Sequence, residues 1–200
     1  MSTTRRLLAC LLLCGGCSRG VQERPRVLPE VEYVGKLERW CAEGQRERCF
    51  ELGDRLLTGD AIAADPERGT RLLTDACKAE VGRACHRLAL AHQRGEALPA
   101  APERVLPLLE HACGAGAHRA CFDVGGHHAR GDQTLRDLEK AAAYYDRACD
   151  HDVLDACVAL ADLLTAGEQL PADPARAREL RVKACRAGLQ GVCEQLSAGR

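Results

Sequence analysis

Aromatic side chains are nearly missing from this chain of 200 residues: one Trp, three Tyr and two Phe make up 3% of it. A core must therefore be built from Ala, Leu and other small or aliphatic side chains, which suit close helix packing. Strand-like alternation is almost absent as well, which argues against a β architecture. Charge of one sign is lacking too, because 28 Lys and Arg face 29 Asp and Glu. Without a basic surplus or aromatic interleaving, nucleic acid is excluded as a partner, and no global field steers the chain to an anionic membrane. Serine is scarce: only Ser2, Ser18 and Ser197 occur, and none has Lys three places on, so S-x-x-K chemistry has no nucleophile. The seven histidines are scattered with no H-x-H-x-D, and no C-x-x-C occurs within residues 30–200. Catalytic zinc and close-pair structural zinc both lose their usual ligand spacing. No small-molecule cofactor is expected. No apolar stretch approaches the ~20 residues of a membrane-spanning helix.

What the chain has in excess is cysteine, thirteen in all. Three fall near the start, where Arg5 and Arg6 precede the apolar run Leu7 to Leu13, then Gly15, Gly16 and Cys17. This is the layout of an export signal over residues 1–16. Gly15-Gly16-Cys17 resembles the lipobox of bacterial lipoproteins, with Cys14 where that pattern carries Leu. The resemblance implies cleavage before Cys17, lipidation of that cysteine, a short linker over 17–29 and an anchor in the cell envelope. Ser18 after Cys17 implies an outer-membrane lipoprotein facing the periplasm or the cell surface; plain secretion is the alternative.

The other ten cysteines are Cys41 and Cys49, Cys77 and Cys85, Cys113 and Cys121, Cys149 and Cys157, Cys185 and Cys193. Members of a pair are eight apart, and each pair follows the last by 36. A fixed period of this size is the signature of stacked helical repeats. Other columns keep the register. Leu52, Leu88, Val124, Leu160 and Leu196 recur, as do Gly59, Gly95, Gly131 and Gly167, and Ala76, Ala112, Ala148 and Ala184. Asp65-Pro66 and Asp173-Pro174 read as helix starts, an N-cap followed by Pro at the first helical position. Ala101-Pro102 and Asp137-Leu138 are weaker versions in the same column. The recurrent glycines suit the left-handed residue that ends the preceding helix. Leu72-Leu73, Leu108-Leu109 and Tyr144-Tyr145 supply a buried stripe for the helix that follows.

Eight residues of continuous helix would separate two Cα atoms by about 12 Å, beyond the roughly 7 Å a disulfide tolerates. The chain must turn inside each pair. Gly44, Gly82, Gly114 with Gly116, and Gly188 are the expected turn residues, with Asp150-His151-Asp152 serving the fourth pair. Each disulfide then joins the last turn of one helix to the first turns of the next. Five equivalent pairs in register read as structural rather than redox-catalytic.

The unit Leu52-Gly53, Gly59, a capped second helix, Ala76-Cys77 and Ala84-Cys85 resembles the Sel-one-like repeat, and its cysteine-bearing form resembles the Helicobacter cysteine-rich protein family. The likeness spans residues 30–200 as four full repeats of 36 and a partial fifth. It implies an all-α fold: an α/α superhelix of tetratricopeptide type, made of antiparallel helix pairs, whose concave face binds a protein or peptide. That family is also associated with penicillin binding and β-lactamase activity, which makes a hydrolase the alternative function. Where the family usually has Tyr, this chain has Leu56, His92, His128 and Leu164. The two imidazoles are expected to fill the tyrosine site by packing. The expected site residues are the ten repeat cysteines as disulfides and Cys17 as the lipidated residue, with no catalytic residue and no metal ligand.

Overall fold

The computed structural model describes residues 30–95 and 97–198. The leader, Cys17 and the linker lie outside the described residues.

Between them the described residues form ten α-helices and no strand. They are α1 (Glu30–Ala42), α2 (Arg46–Thr58), α3 (Pro66–Lys78), α4 (Gly82–Arg94), α5 (Pro102–Gly114), α6 (His118–Arg130), α7 (Leu138–Asp150), α8 (Leu154–Ala166), α9 (Pro174–Arg186) and α10 (Gln190–Ala198). The first nine have 13 residues each, so the sequence period of 36 is one helix pair plus its two connections. Each helix packs on its chain neighbours, with little contact beyond them. That pattern makes the fold a one-dimensional stack, an α/α solenoid.

Two kinds of connection alternate. The long ones, 59–65, 95–101, 131–137 and 167–173, open on Gly59, Gly95, Gly131 and Gly167, all left-handed with φ between 65° and 77°. They end at Asp65, Asp137 and Asp173, whose carboxylates accept from the backbone N–H groups of Arg68, Lys140 and Arg176 at 2.9 Å. Asp137 is thus a full N-cap although no proline follows it, and that bond is the first of the forces holding its carboxyl below the usual range. Ala101 caps nothing with its side chain. Each long loop is cinched by one backbone bond, as from Asp65 N–H to the Leu56 carbonyl and from Asp137 N–H to the His128 carbonyl, both 2.9 Å.

The short connections lie inside the cysteine pairs, and here the sequence expectation needs correction. The left-handed residue is the second of three: Gly44, Glu80, Gly116, Asp152 and Gly188. Gly82 is not a turn residue; it is the first residue of α4 and is buried. Gly114 is the last residue of α5. A Cβ on Gly82 would stand 2.7 Å from the Ala115 carbonyl oxygen and 2.9 Å from that of Ala112. Gly82 is therefore required by backbone approach rather than by its dihedral angles. What fixes φ at Glu80 is the hydrogen bonding around it: Val81 N–H reaches back to the Ala76 carbonyl and Glu80 N–H to that of Cys77, both 3.0 Å. This is the Schellman closure of a helix end, and it recurs at Ala112, Ala148 and Ala184.

The core is as small-residued as the composition requires. Ala76, Ala84, Ala112, Ala120, Ala148, Ala156 and Ala184 are fully buried between larger side chains such as Leu73, Leu88, Leu109 and Leu160. One continuous cluster runs from Leu57 to Ala177, and a smaller one around Val34, Leu37, Leu52 and Leu56 seats α1. Of the paired stripe residues, Leu73, Leu109 and Tyr145 face inward, while Leu72, Leu108 and Tyr144 are half-buried. Burying a leucine contributes roughly 1.5–3 kcal/mol and an alanine much less, so this core is lean for its length.

Candidate interaction surface and disulfide spine

The five cysteine pairs form a spine through the solenoid. Each bridge joins the end of one helix to the first turn of the next, with Cα atoms 4.6–4.9 Å apart. Cys113, Cys121 and Cys157 are fully buried, whereas Cys41, Cys185 and Cys193 at the two ends are half-buried. Disulfides persist in oxidising compartments, so a chain that carries five of them is an exported protein.

Cations from the following repeat cover the helix ends that carry the first cysteine of two pairs. Arg147 donates to the Cys113 carbonyl at 2.9 Å and Lys183 to the Cys149 carbonyl at 2.6 Å. Positive charge at a helix C-terminus satisfies its orphan carbonyls and opposes the negative end of the dipole. His111 occupies the same column one repeat earlier and instead has its Nε2 3.3 Å from Glu80.

Polar links between repeats occur on the odd-numbered helices, as between Arg68 and Glu38 and between Arg176 and Asp146, and on the even-numbered helices they combine with aromatic rings. In one column stand Glu47, Arg83, Arg119 and Asp155. Arg83 pairs with Glu47, and Arg119 donates to Asp155 at 2.6 Å. Their guanidinium groups also lie 4.8 Å from the centres of the Phe50 and Phe122 rings. Close by, Arg87 pairs with Asp54, and His86 Nε2 lies 2.7 Å from Asp123. Exposed pairs such as Arg83 with Glu47 and Arg119 with Asp155 stabilise by at most about 1 kcal/mol each, and stacking on the half-buried rings adds about 0.5–1 kcal/mol. Their larger effect is to hold long side chains in set positions over three helical steps. Composition did not reveal this ladder; opposite charges exactly one period apart, at Glu47 and Arg83 and at Arg119 and Asp155, are the signal that would have.

The histidines separate into distinct environments. His128 is 5% exposed and stacks on Tyr144 with ring centres 5.8 Å apart, and its Nδ1 has no hydrogen-bond partner. His92 is half-buried, with Nδ1 3.3 Å from the Pro99 carbonyl. His127 is buried beside His128, and its Nδ1 faces the Asp132 carbonyl at 3.2 Å. His118 lies flat on His151, with centres 3.5 Å apart and planes 3° from parallel. Burial, then His151 and Arg147, hold His118 below the ordinary imidazole range. None of these pairs a base with a serine. Ser197, the one serine among the described residues, donates to the Glu194 carbonyl of its own helix.

A stack of short antiparallel helices, stapled at every short turn and carrying its polar features across repeats, defines a helical-repeat scaffold. A sequence profile of the Sel1 repeat matches residues 49–80, 82–104, 118–153 and 154–189, more than half of the chain. The chain belongs to the Sel1 repeat family. Members of this family act in general as non-enzymatic scaffolds that bind protein partners. The matched blocks begin at α2, α4, α6 and α8, so α1 and α10 flank four matched segments.

A Sel1 repeat protein from Oxalobacter formigenes superposes with a TM-score of 0.77 at 16% identity, over 85% of this chain and 69% of that one. A protective antigen of uropathogenic Escherichia coli with the same repeat fold gives 0.75 at 21% identity, over 82% of this chain but 35% of that longer one. Helicobacter pylori cysteine-rich protein B shares 25% identity over 65% of this chain and 93% of its own, with a TM-score of 0.52. Comparison of the sequence with curated proteins finds no match.

Proposed function

We propose that this protein is a lipid-anchored docking scaffold of the bacterial cell envelope. Residues 1–16 are its leader, Cys17 its lipidated first residue, 17–29 its linker and 30–200 its repeat array. Its partner is a protein or peptide held on the concave face of the solenoid, and its placement is the outer membrane, facing the periplasm or the surface. The anchor reading is supported by the leader pattern and by the evenness of the ten repeat cysteines, which leaves Cys17 as the thiol without a partner. Among the described residues no helix is long and apolar enough to cross a membrane.

The observation that carries the docking reading is the ladder on α2, α4, α6 and α8. Arginines stacked on Phe50 and Phe122 and fixed by acids one repeat away form a pre-ordered recognition surface. Arginine and aromatic side chains dominate interface energetics, and pre-ordering them lowers the entropic cost of binding. In-cell crosslinking of the anchored protein tests it, and a recurrent partner is expected. A chromogenic lactam assay on the mature protein is the companion: turnover above blank, with no recurrent partner, would replace the scaffold with the hydrolase reading. Incorporation of labelled fatty acid, lost in Cys17→Ala, tests the anchor.

A further inference from the structure

The junction of α3, α4 and α5 differs from its counterparts. Cys77 lies in the last turn of α3, Glu80 in the three-residue turn, Cys85 in the first turn of α4 and His111 in the last turn of α5. The two sulfurs and a ring nitrogen of His111 all lie within 4.8 Å of one another, and the Glu80 carboxylate is 3.3 Å from His111 Nε2. Among the described residues no other group of three such ligands is this close. The repeat explains why. In the His111 column the other residues are Arg39, Asp75, Arg147 and Lys183, and in the Glu80 column they are Gly44, Gly116, Asp152 and Gly188. The Cys149–Cys157 turn also holds His151 and Asp152, but among the described residues only at this junction does a ring nitrogen stand within 4.8 Å of both sulfurs. His111 also forgoes the role of its successors, which donate to the carbonyl of the preceding cysteine.

We propose that in the dithiol state this junction binds one thiophilic divalent cation of the zinc type, through Cys77, Cys85 and His111 with Glu80 as fourth ligand. Two thiolates, an imidazole and a carboxylate form a tetrahedral donor set with bonds of about 2.0–2.3 Å. Three donors are already gathered once the sulfurs are no longer bonded to each other, and the exposed Glu80 carboxylate, now held by His111, swings in as the fourth. Both sulfurs sit at the buried base of the site, while His111 and Glu80 are 42% and 70% exposed and leave a solvent path to it. The C-x-x-C spacing usual for zinc is replaced by a turn that brings Cα atoms eight residues apart to 4.7 Å.

Every disulfide passes through a dithiol before it is oxidised, so the site forms wherever α3, α4 and α5 pack before Cys77 and Cys85 are bonded. Binding displaces two thiol protons to solvent. When an incoming protein disulfide oxidises the site, two electrons leave the Cys77 and Cys85 thiolates and the bond between their sulfurs forms. The incoming disulfide departs as two thiolates, and the cation is released. Until then the ion holds Cys77 with Cys85 and against exchange with the other four pairs. It is a register lock for oxidative folding, independent of what the finished scaffold binds.

The test uses the full chain reduced with a phosphine under anaerobic conditions and titrated with Co2+. The readouts are the thiolate-to-cobalt absorption band, displacement by Zn2+, and helicity by circular dichroism on the same samples. One tight equivalent per chain is expected, and none in the oxidised protein. His111→Arg, which installs the side chain of the next repeat, should weaken binding at least tenfold. Glu80→Gly, which matches the neighbouring turns, should weaken it by a smaller factor. The proposal is overturned if the reduced chain shows no band at one equivalent. It is equally overturned if several ions bind with equal affinity, or if both variants titrate like the parent. An unfolded reduced chain would give these results, since its five cysteine pairs would then be equivalent.

Discussion

Replacing Gly82 by Ala isolates a contact that holds one helix pair together. The added Cβ would lie 2.7 Å from the Ala115 carbonyl oxygen, 2.9 Å from the Ala112 carbonyl oxygen and 3.1 Å from the Ala115 carbonyl carbon. All three are backbone atoms at the end of α5, so no side chain can swing away. Relief requires the start of α4 to part from the end of α5, beside the fully buried Ala84, Cys85 and Ala112. Overpacking of this kind costs typically 1–3 kcal/mol, and helix propensity returns at most about 1 kcal/mol for Gly to Ala. A net loss of about 1–2 kcal/mol is expected. Gly114→Ala is the control: it is also helical, a Cβ there meets nothing within 4 Å, and a gain of a few tenths to 1 kcal/mol follows. Urea titration of both variants with disulfides intact, followed by circular dichroism, gives the comparison. Equal midpoints for Gly82→Ala and the parent, or a loss in Gly114→Ala, would refute the packing account.

Removing the Asp65 cap as Asp65→Ala should cost about 1 kcal/mol, and Ala101→Asp should recover a similar amount at the uncapped start of α5, both read as shifts in melting temperature. Under graded reduction with alkylation and mass spectrometry, the end bridges Cys41–Cys49 and Cys185–Cys193, in which Cys41, Cys185 and Cys193 are half-buried, should label before Cys113–Cys121; simultaneous labelling would mean global opening governs access. Replacing Cys113 and Cys121 together by Ala should cost about 2.5 kcal/mol for a loop of this size in the chain-entropy model. Stability should also fall with acid. Folding holds His118 neutral below its ordinary range, so the unfolded chain takes up a proton first as pH drops through about 6.5, and the loss levels off at the lowered folded value. His118→Leu, the residue Leu154 provides one repeat on, should flatten that slope in urea titrations between pH 7 and 5.

How much of this was legible depended on whether the deciding force repeats. The helix pairs, the turn inside each cysteine pair and the caps at Asp65 and Asp173 follow from residue types that recur every 36 positions. The left-handed conformation of Glu80, and of Asp152 within its expected turn, is not legible because closure of the helix end imposes it, not the residues' own preference. Aligning them with Gly44, Gly116 and Gly188 would have exposed the column. Gly82 drew attention as a glycine for the wrong reason, since its constraint is a neighbour far along the chain. His92 and His128, expected to fill the tyrosine site, differ in their surroundings: His128 is enclosed and His92 half-buried. The His118–His151 stack was invisible because each residue is the only histidine in its column.

The central claim is that the ordered surface of the even helices receives a protein partner. Photoreactive residues placed singly at Phe50, His86, Phe122 and Val158 in the anchored protein, and in parallel at Asp75, Glu110, Asp146 and Arg186 on the odd helices, test it directly in living cells. The account predicts one recurrent adduct from two or more adjacent even-helix positions, lost on Arg83→Glu with Arg119→Glu. Adducts only from the odd helices, or none from either set, would contradict it.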